Sequence, residues 1–260
     1  MSDKIRIILC GCLGRMGTAI SNMVAATPDM EIVLGLDTFK TDETRHYPIY
    51  SSINDQATPA DAIISYLPPS ATDDTMALLN FSVKNRIPLI ICTTGLSQEI
   101  ENTIANAAKK TVIFYSKNMS LGVNVLTHIL KNISKLLYDS NFDIELIEKH
   151  HNKKLDAPSG TAFMLLDAIK EAVGSPLQTI TDRSSTLTER KPSEIGVSAV
   201  RGGNIIGEHS VIFAGQNETL EITHAAQSRD VFAEGTLKAV RFMCNKPPGL
   251  YTMQDLIETF

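Results

Sequence analysis

Residues 8–17 read ILCGCLGRMG, an apolar run that breaks into glycine and then opens a helical pattern. Gly11, Gly14 and Gly17 stand at GxxGxxG spacing, directly before a stretch in which Met16, Ile20, Met23 and Val24 share one helical face. Glycines at such a strand-to-helix turn let the backbone bend tightly, admit a pyrophosphate close to the main chain and pack helix on strand. The open N–H groups and positive dipole end of the helix favour phosphate. Turns of this kind also occur without a ligand, so a second signal matters: Asp37 ends the run EIVLGLD, twenty positions after Gly17. A carboxylate there accepts hydrogen bonds from the adenosine ribose hydroxyls; its bland alternative is a cap on a strand end. Asp37 also repels a 2′-phosphate, which predicts a preference for NADH. Arg15 in the loop and Lys40 beyond the carboxylate leave some use of NADPH open.

Outward from this turn, the alternation continues. DAIISYLPP, IPLIICTTG and TVIFYSKN read as strands, with SATDDTMALLNFSVKN and LSQEIENTIANAAKK as helices between them. Strands alternating with helices of this length imply right-handed crossovers and a parallel sheet covered on both faces, a doubly wound Rossmann-type α/β domain. LGVNVLTHILKNISKLL is then a long amphipathic helix, FDIELIEKH a strand and TAFMLLDAIKEAVG a helix. Residues 175–196 are polar and read as a loop or short irregular elements. Residues 197–226 show short β-rich runs punctuated by GG, GEH and GQNE, which suggests antiparallel strands. DVFAEGTLKAVRFMCN returns to helix and is expected to pack on the first domain. The expected division is a dinucleotide-binding domain of residues 1–120 plus 229–260, interrupted by an α+β domain at 121–228.

Composition narrows the function classes. The 260 residues carry a formal charge of −5 with 43% apolar and 20% charged side chains. That charge argues against non-specific nucleic-acid binding, and no apolar run is long enough to span a bilayer. Cys10, Cys12, Cys92 and Cys244 form no CxxC pair, so free thiols in a reducing cytoplasm are expected. The short apolar run at the N-terminus reads as a strand rather than a signal peptide.

The second chemical motif is EKHHNKKLDAPSGTA, Glu148 to Ala162. Pro158 keeps its predecessor out of helix, Ser159 is a natural N-cap, and Gly160 and Thr161 would open the helix. A helix end of that kind takes an anion, with the Thr161 hydroxyl as a further donor. Lys153 and Lys154 stand a few residues upstream, where at least one can reach the same anion; His150 and His151 can hold or release a proton near neutral pH, and Asp156 can orient a lysine or a histidine or serve as a local turn residue. Together they suit a small substrate bearing carboxylates, with an acid beside it. The bland reading is a loop of solvated lysines and incidental histidines. A metal site is not expected, because neighbouring side chains on an extended segment point apart and no further ligand set stands at the usual spacing. CTTG (92–95) and SKNMS (116–120) end two strands; by themselves they fit cap and turn chemistry as well as contacts to a nicotinamide.

GxxGRMG followed by ExHHxxKxDAPSGTA resembles the dihydrodipicolinate reductase family of lysine and diaminopimelate synthesis. The resemblance extends through CTTG, NMSLGVNV, RGGNIIGEH and LEITHAAQSR. It implies a Rossmann-type domain interrupted by a substrate domain whose open sheet builds a homotetramer. It also implies hydride delivery from NAD(P)H to ring carbon 4 of an unsaturated cyclic imine dicarboxylate, formed from 4-hydroxy-tetrahydrodipicolinate by loss of water. The same resemblance makes His150 the proton donor, with Lys154 as a second donor. It assigns substrate binding to His151, Gly160 and Thr161, and cofactor binding to Gly11, Cys12, Leu13, Gly14, Arg15, Met16, Asp37, Cys92, Thr93, Thr94, Lys117, Asn118, Met119 and Ser120. Departures from the family pattern are Cys92 for a frequent glycine, Leu13 in mid-loop, Thr38 where some members have arginine, and Asn204 for a frequent aspartate. These bear on cofactor preference rather than on the acid. Another two-domain oxidoreductase, or an NADH-sensing regulator without catalysis, would have no use for the HHNKKLDAPSGTA run.

Overall fold

A parallel strand covered on both sides needs apolar side chains on both faces, and the first strand supplies them. In the computed structural model, which describes residues 4–38, 45–53, 59–184 and 187–259, Ile7 and Leu9 enter one core and Ile8 and Cys10 the other. The chain runs β1 (Ile5–Cys10), α1 (Arg15–Ala25), β2 (Met30–Leu36), β3 (Ile49–Tyr50), β4 (Ala62–Ser65), α2 (Thr72–Asn85), β5 (Leu89–Ile91), α3 (Gln98–Ala108) and β6 (Val112–Tyr115). It continues with α4 (Leu121–Asp139), β7 (Asp143–His150), α5 (Gly160–Val173), β8 (Gln178–Ile180), β9 (Glu194–Arg201), β10 (Gly207–Ala214) and β11 (Thr219–Ala226). It closes with α6 (Asp230–Met243), β12 (Gly249–Tyr251) and α7 (Met253–Ile257).

Two compact units result: residues 1–121 with 229–260, and residues 122–228. The first holds a seven-stranded sheet in the order β12-β6-β5-β4-β1-β2-β3, with every neighbouring pair parallel. The order reverses beside β1, where a doubly wound sheet opens a ligand crevice at the strand C-termini. Ile20 and Val24 of α1 join Leu237 and Val240 of α6 over one face; Leu78 and Leu79 of α2 join Ile100 and Ile104 of α3 over the other. The two outermost strands, β3 and β12, carry too few residues to leave a periodic signal in the sequence. Helix α3 is capped by Ser97, whose side chain accepts from the Ile100 N–H, rather than by Thr94.

The second unit is a five-stranded sheet, β11-β10-β7-β9-β8. It is mixed. Only β10 pairs antiparallel with β11 and β7, while β9 runs parallel to both β7 and β8. The expectation of an antiparallel run over 197–226 is thus corrected for β9. The glycines at 202–203 mark a reversal, but β7, laid down about fifty residues earlier, lies between the two strands they join. Strand β7 is buried on one face only: Ile144 and Leu146 pack with Leu126 and Leu130 of α4 and with Leu165, Leu166 and Ile169 of α5. The polar segment before β9 contains β8 and is held by charge. Arg190 donates to the Glu194 carbonyl at 2.6 Å and to Asp143 Oδ1 at 2.5 Å, and Arg183 to Glu194 Oε2 at 2.7 Å.

Candidate active site

The turn from β1 to α1 forms a backbone cradle. Gly11 has φ +75°, a region where side chains are strained. A Cβ at Gly17 would lie 2.2 Å from the Gly11 carbonyl oxygen, so only glycine lets helix and turn approach this closely. Gly14 is the N-cap of α1, and the helix starts with no side-chain cap and no acidic residue in its first turn. That leaves N–H groups and dipole for an anion. The Leu13 N–H donates to Asp37 Oδ2 at 2.9 Å, which fixes the carboxylate at the end of β2 beside the turn. A cleft of about 290 Å³ opens there, lined by Thr38, Ser51, Ile53, Leu67 and Phe81 among others. Its mixture of hydroxyl and apolar groups suits a nucleoside. These residues fit a dinucleotide.

The other expected cofactor positions in this unit divide by exposure. Arg15 and Thr94 are exposed. Thr93 is buried, its hydroxyl donating to the Leu67 carbonyl at 2.7 Å. The Cys92 sulfur lies 4.0 Å from the Thr236 hydroxyl, itself 2.7 Å from the Tyr66 hydroxyl, and burial pushes the thiol up to about 12. Lys117 pairs with Glu101 at 3.5 Å, and Asn118 Oδ1 accepts from the Ser120 N–H at 2.9 Å. Cys12 and Met119 send their side chains into the core, so only their backbones could meet a cofactor. Lys40 lies outside the described residues.

In the second unit, period-two alternation places Glu148 and His150 on the buried face of β7, one step beyond Leu146. Glu148 is completely buried. Its Oε1 accepts from Arg201 Nη2 at 2.7 Å and from the Ser159 N–H at 3.1 Å. Its Oε2 accepts from Arg201 Nη1 at 2.8 Å and contacts His150 Nδ1 at 2.5 Å. Burial alone would raise this carboxyl; the bonds from Arg201 and His150 outweigh it and hold it below its ordinary value. An ionised carboxylate only accepts, so the proton on that side of His150 belongs to Nδ1. Burial, aided by the charges of Lys154 and Arg201, lowers the His150 imidazole, and Glu148 offsets this only in part. The His209 ring of β10 stands edge-on at 5.2 Å, pushed down to about 4 by burial and by the charge of His150.

The loop after β7 leads into α5 as its sequence implies. Ser159 caps the helix through a 3.1 Å bond from the Ala162 N–H, and Gly160 and Thr161 form its first turn. Ser159 Oγ also lies 3.0 Å from His209 Nε2. Lys154 donates to Asp156 Oδ1 at 2.8 Å, and Arg201 donates to the Asp156 carbonyl at 2.6 Å. His151 Nδ1 is buried without a hydrogen-bond partner among the described residues. Lys153 is exposed. A potential acid, a lysine charge and a helix N-terminus thus sit within one short loop.

Two family models cover nearly the whole sequence. The one described as dihydrodipicolinate reductase, N-terminus, matches residues 5–119, and its C-terminal counterpart matches residues 122–257. The chain belongs to the dihydrodipicolinate reductase family. It is 45% identical over 256 residues to the 4-hydroxy-tetrahydrodipicolinate reductase of Caldanaerobacter subterraneus subsp. tengcongensis, with 98% of each chain covered. The enzyme of that name from Clostridium novyi is 45% identical over 254 residues, again covering 98% of each. Among solved structures, the dipicolinate-bound dihydrodipicolinate reductase of Paenisporosarcina sp. TG-14 has a TM-score of 0.78 at 22% identity, over 96% of this chain and 97% of that one. A myo-inositol dehydrogenase of Corynebacterium glutamicum has a TM-score of 0.61 at 15% identity, over 98% and 93%. At these identities the structural likeness is one of fold.

As a reductase of this family the chain uses NAD(P)H. The membership also separates it from sugar dehydrogenases that share the fold. Two residues of the cluster around His150 escape a sequence reading. Glu148 opens the central motif with no role evident from its type, although its position two before His150 on an alternating strand places both on one face. Arg201 carries no local signal, since its partner is 53 residues away in sequence. No helix among the described residues is long and apolar enough to cross a membrane.

Proposed function

We propose that this chain reduces 4-hydroxy-tetrahydrodipicolinate, by way of dihydrodipicolinate, to tetrahydrodipicolinate in lysine and diaminopimelate synthesis, with His150 as proton donor. The observation that carries this reading is near-full-length identity to curated reductases of that name, in a chain where His150 is buried against an ionised carboxylate. Bound NAD(P)H would supply the hydride that the family resemblance directs to ring carbon 4. The residues fitted to hold it are the Gly11–Met16 backbone, with Asp37 at the ribose and the ends of β5 and β6 (92–94 and 117–120) toward the nicotinamide.

The remaining work falls to side chains. His150 carries its resting proton on Nδ1, toward Glu148, so Nε2 is the atom that takes and delivers the catalytic proton to the carbon adjacent to the reduced one. A histidine suits the step because its pKa lies near working pH. The N–H groups of Gly160 and Thr161 receive a substrate carboxylate at the start of α5. Lys154, steered by Asp156, adds positive charge and a second donor. The unpartnered His151 Nδ1 supports a substrate contact there. Asp37, followed by Thr38, favours NADH over NADPH; a kcat/KM favouring NADPH about tenfold or more, roughly 1.4 kcal/mol, would reverse that. The reading includes a cytoplasmic homotetramer, supported by four cysteines that form no disulfide and by family resemblance. Light scattering should give four times the 28.4 kDa chain mass.

The test follows NADH oxidation after addition of the product of dihydrodipicolinate synthase. Wild type should turn over. His150→Ala combined with Lys154→Ala should lose roughly 10²–10⁴-fold in kcat, the usual reach of general acid catalysis. Absence of turnover by wild type would sink the reading.

A further inference from the structure

The mechanism leaves one buried charge unused. Glu148 touches no expected substrate position, yet its two oxygens meet four donors: Arg201 Nη1 and Nη2 on β9, the Ser159 N–H before α5, and His150 Nδ1 on its own strand. A buried ion pair is a weak way to stabilise a fold compared with apolar packing of the same volume. What distinguishes this one is where its bonds go. One bond ends on the proposed proton donor. Another ends on the residue that caps the carboxylate-binding helix. The Arg201 fork is bidentate, which fixes the carboxylate plane as well as its position. Across the ring from Nδ1, Nε2 lies against Gly207 of β10, where a Cβ would stand 3.1 Å away, so glycine is what leaves that ring edge uncrowded by a side chain.

We propose that Glu148, clamped by Arg201, is the positioning residue of the site, holding His150 as the Nδ1–H tautomer and Ser159 at the start of α5 so that one carboxylate sets both proton donor and anion site. Loss of Glu148 therefore acts on catalysis through His150 and Ser159, without any contact to substrate. This rests on the reading of His150 as donor. The charged and titratable groups around His150 are Glu148 on its own strand, Lys154 and Asp156 in the following loop, Arg201 on β9 and His209 on β10, with His224 of β11 beside His209. Lys149 and Glu208 pair with each other and alternate to the opposite face of the sheet. Of all these, Glu148 alone both contacts the imidazole and favours its protonated form.

The test compares wild type, Glu148→Gln and Arg201→Lys by kcat, KM, the pH profile of kcat/KM and the imidazole nitrogen NMR signals of His150. Wild type should show the Nδ1–H tautomer. Glu148→Gln should lower kcat by about a hundredfold and move the basic limb of the profile to lower pH, because burial, Lys154 and Arg201 then act on His150 unopposed. Arg201→Lys keeps the carboxylate but loses the fork, so its limb should move less and its kcat should fall by about tenfold. A merely structural Glu148 would reduce the folded fraction and leave the pH profile where it is. An Nε2–H tautomer in wild type, or an unchanged profile and tautomer in Glu148→Gln, overturns the proposal. Should Glu148→Gln not fold, Arg201→Lys decides: unchanged His150 signals and kcat overturn the proposal, and altered ones uphold it. Failure of the donor reading looks different. The His150 signals would shift in Glu148→Gln while the pH limb stayed fixed, upholding the positioning role and removing His150 from the proton step.

Discussion

Two helix N-termini of this protein are proposed to meet anions, and they are built in opposite ways. The start of α1 is bare backbone: a glycine N-cap, a glycine at positive φ and a third that lets the turn close on the helix. The start of α5 is capped by Ser159 and propped by Glu148, Arg201 and His209, side chains drawn from three strands. The first offers a fixed cradle for a phosphate, whose charge does not change during hydride chemistry. On the function proposed above, the second holds a carboxylate while a proton leaves the imidazole nearby, which requires charges that stay in place. Backbone suffices for binding; a proton step needs a network.

The contrast can be broken at four points, in decreasing order of expected effect. Arg201→Ala leaves Glu148 buried without its cation and should cost roughly 3–5 kcal/mol of stability, measured by urea denaturation, while NADH binding followed by fluorescence remains. Second comes acid. His209 is pushed from its ordinary 6.5 down to about 4, so across that interval the unfolded chain binds a proton the folded one refuses. Stability should therefore fall as pH drops from 6.5 toward about 4, with a slope approaching about 1.4 kcal/mol per pH unit. His209→Gln should flatten that slope in thermal melts. Glu148 extends the loss further down, since its lowered carboxyl stabilises above its unfolded pKa and ceases to as pH falls through the folded one. Third, Gly17→Ala forces a Cβ against the Gly11 carbonyl and should cost about 1–3 kcal/mol. It should also weaken NADH binding, sparing the His150 signals. Last, Ser159→Ala removes the cap bond and the bond to His209 Nε2, together about 1–2 kcal/mol, or a Tm lower by roughly 2–8 °C. An equal effect of Gly17→Ala on both helix ends would collapse the distinction.

The same contrast explains which parts of the protein are legible in its sequence. The α1 turn advertises itself because its chemistry is local: glycines at fixed spacing, a strand before and a helix after. The start of α5 is equally plain, from the proline, serine and glycine at 158–160. Its support is not, because Arg201 and His209 reach it only through pairing of β7 with β9 and β10. Strand β9 misleads for the same reason; glycine punctuation marks where a chain turns, not which strand it joins. Strands β3 and β12 are too short to show a period. Neighbours in sequence make their half of the site visible, and neighbours in space leave theirs hidden.

Strand β12 pairs with β6, and α6 brings Ala233, Leu237 and Val240 to the core that α1 shares. Both come from beyond residue 228, after the whole of the second unit has been made. On the ribosome the parallel sheet therefore waits with β6 as a naked edge and one face covered only in part, by α1, the condition in which strands recruit wrong partners. The inserted unit, by contrast, is contiguous from 122 to 228 and can close as soon as β11 emerges. For this chain the order of maturation runs against the order of synthesis: what is translated first is completed last.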